Sequence, residues 1–507
     1  MRPRLCADPP PRRPAASPRR RWPRWRGVLT AALTLLLGPG AATGDQPGPV
    51  DPAASPGRTR QALLQATDEI ARQVASLRGL PLRTPFERGV LSRTEIGQRL
   101  RERVAKDYSA EEVRIESGVF KRMGLLPEAA DYERLVFDLL TEQVAGFYDP
   151  YKKTLYIADW LPLEMQRPAL AHEIEHALQD QHFDLKKMSA PLKEDGDRQL
   201  ARSALVEGDG TAVMLEFAAR GMGVDTTKMP EVLSRLGRQM MQLSMATTPA
   251  LQKAPAVLRE SLVFPYAAGL EFITALRQNQ TWRRIDEVFR DPPDSTEQVM
   301  HPEKYLTRER PLRITAAPLT TLAPRREVKR DILGEMMLRV WFGVRLSDAA
   351  AAQAAAGWGG DRLVAYAQEG EALPVVVVLS TWDSDQDAGE AEQAGRKVVL
   401  GMTGQKETSG QSLGPSRTRG SMTTFVRSLG GRAYAAVRQG RQVLLLCGVP
   451  ETTRLDGVVD EVLRTWKVEA APPATPGAPD SVSAPPPATT QPTTTPTSPP
   501  TSGDKNR

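Results

Sequence analysis

Cysteine is almost missing from this chain: 507 residues contain two, Cys6 and Cys447. Cys6 lies in an arginine-rich start and Cys447 in an apolar, strand-like run. Once that start is removed no internal disulfide can form, and Cys447 reads as a small buried hydrophobe. Histidine is also scarce, with four, at positions 172, 176, 182 and 301. Past the N-terminus no run is long and apolar enough to cross a bilayer, which excludes a stable helical span there. A basic excess is missing too, despite a formal charge of +6 and a pI near 9.3. Residues 1–44 hold nine arginines and one aspartate, a charge of +8, so the rest of the chain sits at −2. The basic character belongs to the start and gives no footing for nucleic-acid binding. The remaining balance, 40% hydrophobic and 25% charged, is that of an ordinary globular protein, and the length allows two or three domains.

Residues 1–44 have the layout of a signal peptide: an arginine-rich segment, an uncharged apolar stretch over 27–37, then small residues and helix breakers. Eleven apolar residues cannot span a membrane, so export is expected, to a bacterial periplasm, cell envelope or exterior. The charged segment is unusually long. Either the true start lies further on, or Arg19-Arg20-Arg21-Trp22 is a degenerate twin-arginine signal. Residues 45–56 read as a Gly/Pro/Ala linker. Residues 469–507 form a Pro/Thr-rich tail with few large apolar groups, which predicts disorder.

Between these ends the expected class is α+β. Residues 57–309 should form a mainly helical domain with a small β-hairpin, and 310–468 a smaller α+β domain with a mostly antiparallel sheet. Apolar residues at three- and four-residue spacing make 58–144 helical. Ser109 with Glu112 predicts a capping box, and Pro127 a helix start. Gly146–Tyr151 and Thr154–Ala158 read as the hairpin. Helices are expected to about His182, over Arg198–Arg220, from Pro230 to about Ala246, and over 325–356. Strands are expected over Leu363–Gln368, Leu373–Trp382, Ser421–Ser428, Arg432–Arg438 and Gln442–Gly448, and helices over Ala388–Leu400 and Val458–Trp466.

Chemistry concentrates at His172-Glu173-Ile174-Glu175-His176. Residues i and i+4 share one helix face, so both imidazoles can reach one metal, and Glu173 stands beside them as a base for water. Catalytic zinc suits such a site because it keeps three nitrogen or oxygen ligands and an open position. The third ligand is expected to be Glu207, on the next helix and flanked by Gly208 and Gly210, small residues that let two helices close around a metal. His182, six residues past His176, would point away from that face. Asp209 is either an outer partner of a ligating histidine or a helix-surface acid.

His172-Glu173-x-x-His176 with Glu207 on the following helix resembles the gluzincin zinc metallopeptidases, of the thermolysin and aminopeptidase-N kind. Phe264-Pro265-Tyr266-Ala267-Ala268-Gly269-Leu270-Glu271-Phe272 is similar to the aminopeptidase helix whose tyrosine stabilises the tetrahedral intermediate, a role the resemblance puts on Tyr266. The strings at 146–150, 172–181, 204–209 and 295–305 are similar to those of bacterial exported proteins regarded as metallopeptidases. That likeness covers about residues 60–310, with Gly357–Asp361 and Trp382-Asp383 beyond it. A G-x-M-E-N strand, which in exopeptidases binds a free amino terminus, is absent upstream of the motif. Thr154–Ala158 is instead expected to stand at the sheet edge and pair with an extended peptide, favouring endopeptidase action.

The expected function is therefore zinc-dependent hydrolysis of a peptide or protein substrate. Glu173 would move the proton, and Tyr266, or failing it His301, would steady the oxyanion. Two other classes stay open: a non-catalytic zinc-stabilised envelope protein that binds a partner, and a zinc amidase acting on cell-wall peptides. The helical N-terminal part is open to two readings as well, a propeptide removed on activation or an integral piece of the fold.

Overall fold

The computed structural model describes residues 56–471, apart from 108, 143–145, 193, 227–229, 279 and 405–416. The expected signal, the linker up to residue 55 and the tail from 472 lie outside the described residues.

The chain opens with α1 (Pro56–Arg78), β1 (Glu87–Leu91), α2 (Arg93–Asp107), α3 (Ala110–Arg122) and α4 (Tyr132–Glu142). The Ser109–Glu112 capping box is formed: the serine hydroxyl accepts from Glu112 N–H, and Glu112 Oε2 accepts from Ser109 N–H at 2.7 Å. Pro127 does not start the next helix. Asp131 does, its Oδ1 accepting from Arg134 N–H at 3.0 Å. Next come β2 (Gly146–Asp149) and β3 (Thr154–Ala158), then α5 (Leu163–Phe183), α6 (Leu185–Met188), α7 (Gly196–Gly221), α8 (Pro230–Thr247), α9 (Pro249–Lys253) and α10 (Ala256–Leu276).

One expectation fails here. Thr154–Ala158 is not an edge strand, because the sheet order is β1-β3-β2, with β1 parallel and β2 antiparallel to it. Strand β1 carries Glu87, Arg88 and Gly89 in five residues, too polar to show a strand pattern. Gly89 is placed where the Tyr156 ring leaves no room for a Cβ, 2.9 Å away.

After α11 (Arg283–Arg290), α12 (Thr296–Met300) and α13 (Pro302–Leu306), the chain runs through β4 (Arg313–Thr315), β5 (Arg326–Asp331), α14 (Gly334–Gly343), α15 (Asp348–Ala355), β6 (Trp358–Ala367), β7 (Val375–Trp382) and α16 (Asp385–Met402). It ends with β8 (Arg417–Arg419), β9 (Met422–Leu429), β10 (Arg432–Gln439), β11 (Gln442–Pro450), α17 (Leu455–Thr465) and β12 (Lys467–Glu469). The uniform helix expected over 325–356 is corrected to strand β5 followed by two short helices. Five of the six residues of β5 are charged, which masks it in sequence and suits its place as an edge strand.

The large sheet is antiparallel throughout, in the order β5-β6-β7-β11-β10-β9-β8. Its central strands are apolar on both faces. Val376 and Val378 face one core; Val375, Val377 and Leu379 face another, shared with α17. The first of these cores does not stop at the sheet. It continues through Phe120, Leu205, Tyr266 and Phe272 of the helical part, while a third core joins α1, β2, β3 and α5. The described residues up to 470 accordingly belong to one compact unit, within which position 310 marks a change from helix to sheet.

Candidate metal centre

Helix α5 is buried on every side over most of its length, so its polar groups face protein instead of water. It lies between α1 and α7, and α7 in turn crosses α10. That crossing is tight because glycines meet there. A Cβ on Gly208 would lie 2.2 Å from the Gly269 carbonyl carbon, and one on Gly269 would lie 2.1 Å from Ala204 O. On α7, between these two neighbours, Glu207 reaches across to His172 and His176 of α5.

His172 Nε2 is 3.1 Å from Glu207 Oε2, and His176 Nε2 is 3.4 Å from the same oxygen. The two imidazole rings stand edge to face, 4.6 Å apart. Both distances are close to the roughly 3.3 Å that separates neighbouring ligands of a tetrahedral metal ion with bonds of about 2 Å. Glu173 joins the histidines in a group whose ligand atoms all lie within 4.8 Å. All four side chains are closed from solvent, with exposures of 1% for His172, 2% for Glu173, 3% for His176 and 3% for Glu207. The donor set fits a divalent metal ion, and two imidazoles with one carboxylate make it a nitrogen- and oxygen-rich site.

Charges inside the cluster are interlocked. Burial works against ionised Glu207, yet His176 and His172 hold it down to about 2. Burial also disfavours a charged His176, but Glu207 and then Glu173 outweigh it and raise it to about 10. His172 is lowered by burial. Burial pushes Glu173 up to about 8, against the pull of His176. One Glu173 oxygen, Oε2, accepts the Tyr148 backbone N–H of β2 at 2.6 Å. The other, Oε1, is buried without a hydrogen-bond partner.

The other sequence candidates fall into two groups. Tyr266, on α10, is brought to the cluster, its ring stacked against His172 with centroids 6.1 Å apart. His182 and His301 are engaged elsewhere: His182 Nε2 with Pro81 O at 2.8 Å, and His301 Nε2 with Glu335 Oε1 of α14 at 2.9 Å. Asp209 is fully buried, so it is not a helix-surface acid. It reaches His176 only through Gln179, whose part the sequence did not single out although it stands three residues after His176. A second acidic group, Glu297, Glu309 and Asp383, also has metal-like spacing, but the Lys304 ammonium fills it, with nitrogen–oxygen distances of 2.7, 2.7 and 2.8 Å. The 295–305 string thus reads as a structural joint: Ser295 caps α12, Lys304 ties it to Asp383, and Tyr305 Oη donates to Asp291 O.

Fold and site together define a mixed α+β protein with a buried two-histidine, two-carboxylate cluster able to hold a metal. Residues 320–459, which include every strand of the large sheet but none of the cluster, match a domain family of unknown function, DUF8575. No curated protein and no solved structure matches the chain.

Proposed function

We propose that the chain is a zinc-dependent peptidase that cleaves peptide bonds in a peptide or protein substrate. The observation that carries this is the convergence of His172 Nε2 and His176 Nε2 on Glu207 Oε2, at 3.1 and 3.4 Å, with an unpartnered Glu173 oxygen beside them. His172, His176 and Glu207 would hold the ion, which when bound supplies Lewis acidity, activating water and polarising a carbonyl.

The remaining work belongs to the chain's own groups. The Tyr148 N–H fixes the Glu173 carboxylate through Oε2, so Oε1 is the atom that accepts a proton and later passes it to the leaving amine. To Tyr266, whose ring stacks against His172, we assign the steadying of negative charge on the reacting carbonyl, and not to His301, which pairs with Glu335. Export of the chain, through the segment over 1–44, belongs to the same proposal and rests on sequence alone.

The test is turnover of a quenched peptide library. Hydrolysis should be blocked by a chelator and restored by zinc. Glu173→Gln should bind zinc as the wild type does while losing at least a hundredfold in turnover. Undiminished turnover by Glu173→Gln would sink the assignment.

A further inference from the structure

On the side of His176 away from Glu207, a buried chain of hydrogen bonds leads to the first helix. His176 Nδ1 lies 2.9 Å from Gln179 Oε1. The amide nitrogen of Gln179 donates to Val206 O at 3.1 Å and to Asp209 Oδ2 at 2.9 Å. A backbone carbonyl can only accept, so the Gln179 NH₂ must face Val206 and its carbonyl must face the imidazole. His176 Nδ1 therefore carries a hydrogen, and Nε2 is the nitrogen presented toward Glu207.

Asp209 is fixed in turn. Its Oδ1 accepts from Arg78 Nε at 3.0 Å, although Arg78 ends a helix 131 residues earlier. The Arg78 guanidinium also faces Glu175 at 3.5 Å and Asp286 at 2.8 Å, and it lies over the Trp282 ring at 4.6 Å. Arg78, Glu175, Gln179 and Asp209 are all buried. A planar fork held by three carboxylates and an aromatic face has little freedom to turn, so it transmits a definite orientation to Asp209.

We propose that Arg78, Asp209 and Gln179 form a positioning relay that fixes the tautomer and ring orientation of His176 for the metal, which makes α1 part of the metal centre and not a removable pro-segment. The relay rests on the metal reading of the site above. Outer partners of this kind are worth about 10- to 100-fold in metal affinity. Removing Arg78 outright leaves Glu175 and Asp209 as uncompensated buried acids, so Arg78→Met can fail to fold. Gln179→Met replaces a neutral side chain with a neutral one of similar length and is the cleaner variant.

The experiment uses the full chain stripped of metal, with zinc affinity read by competition against a chromophoric chelator and the folded state checked by circular dichroism. Gln179→Met and Arg78→Lys should each weaken zinc binding about 10- to 100-fold and diminish the tetrahedral visible band of the cobalt-loaded chain. Val378→Ala, in the core of the large sheet, should lower the melting temperature and leave zinc affinity at the wild-type value. A folded Gln179→Met chain with wild-type affinity and cobalt spectrum overturns the relay. A chain lacking α1 that still folds and binds zinc normally overturns the place given to that helix. Wild-type chain that binds no zinc overturns the metal reading and the relay together, and is recognised because wild type and variants then behave alike.

Discussion

Gly210 stands one turn from Glu207 and shows how a single missing methyl shapes the site. A Cβ there would lie 2.9 Å from His172 Cε1 and 3.1 Å from its Nε2. The imidazole is therefore seated directly on the α7 backbone, and any side chain at 210 must push it off line. Gly210→Ala is expected to weaken zinc binding about tenfold, by the same loss of ring orientation, as read by chelator competition. At this scale the sequence was informative about types and poor about partners. The spacing of His172 and His176 carried its own geometry, since i and i+4 meet on any helix. Gln179 follows three residues later and was legible in principle. Arg78 was not, because nothing local marks a helix-terminal arginine as a partner for an aspartate on α7.

Among the elements, α17 is tied down by one side chain. Glu461 accepts from the backbone N–H and the hydroxyl of both Thr320 and Thr321, the four distances lying between 2.6 and 2.9 Å. Burial opposes its charge, but these donors, led by the Thr320 and Thr321 hydroxyls, hold it down to about 2. A carboxylate lower in the folded than in the unfolded state stabilises the fold above its unfolded value near 4.5, and that contribution is lost as pH falls from there toward 2. Glu461→Gln should therefore cost roughly 1–3 kcal/mol at pH 7, the gap to wild type narrowing as pH drops through 4 to 2. Urea unfolding at several pH values measures this, and a gap independent of pH would contradict it. Boundaries signalled by local chemistry were legible, as at Ser109 with Glu112. Those of β1 and β5 were not, because their charged residues are tolerated at edges that only the assembled sheets define.

For the whole molecule, the decisive fact is that one core runs through both the helical part and the sheet. Trp341 of α14 is fully buried and donates its Nε1–H to Met123 O at 2.9 Å. Arg122 of α3 donates to Pro374 O at 2.8 Å and to Tyr434 Oη at 2.9 Å. A chain cut at residue 309 would expose the helical side of that core. Residues 57–309 alone are expected to aggregate, and the full chain to melt in a single transition by calorimetry. Two well-separated transitions would show that the two parts fold independently. Saturating zinc should raise that melting temperature, since at a thousandfold excess over Kd a ligand of the folded state adds about 4 kcal/mol.

By itself the sequence determined the α+β class, most helices, strands β6, β7, β9, β10 and β11 of the large sheet, and the side chains that gather on α5 and α7. These follow from local rules of periodicity, capping and i, i+4 spacing, which operate within a dozen residues. Tertiary structure alone decided that β3 is central and not an edge, that Glu207 reaches both histidines, that His301 is spoken for by Glu335, and that Arg78 stands behind His176. The physical reason is range. Each of these depends on close approach between segments far apart in the chain, set by glycines at a helix crossing and by buried charges that must find partners wherever the fold supplies them.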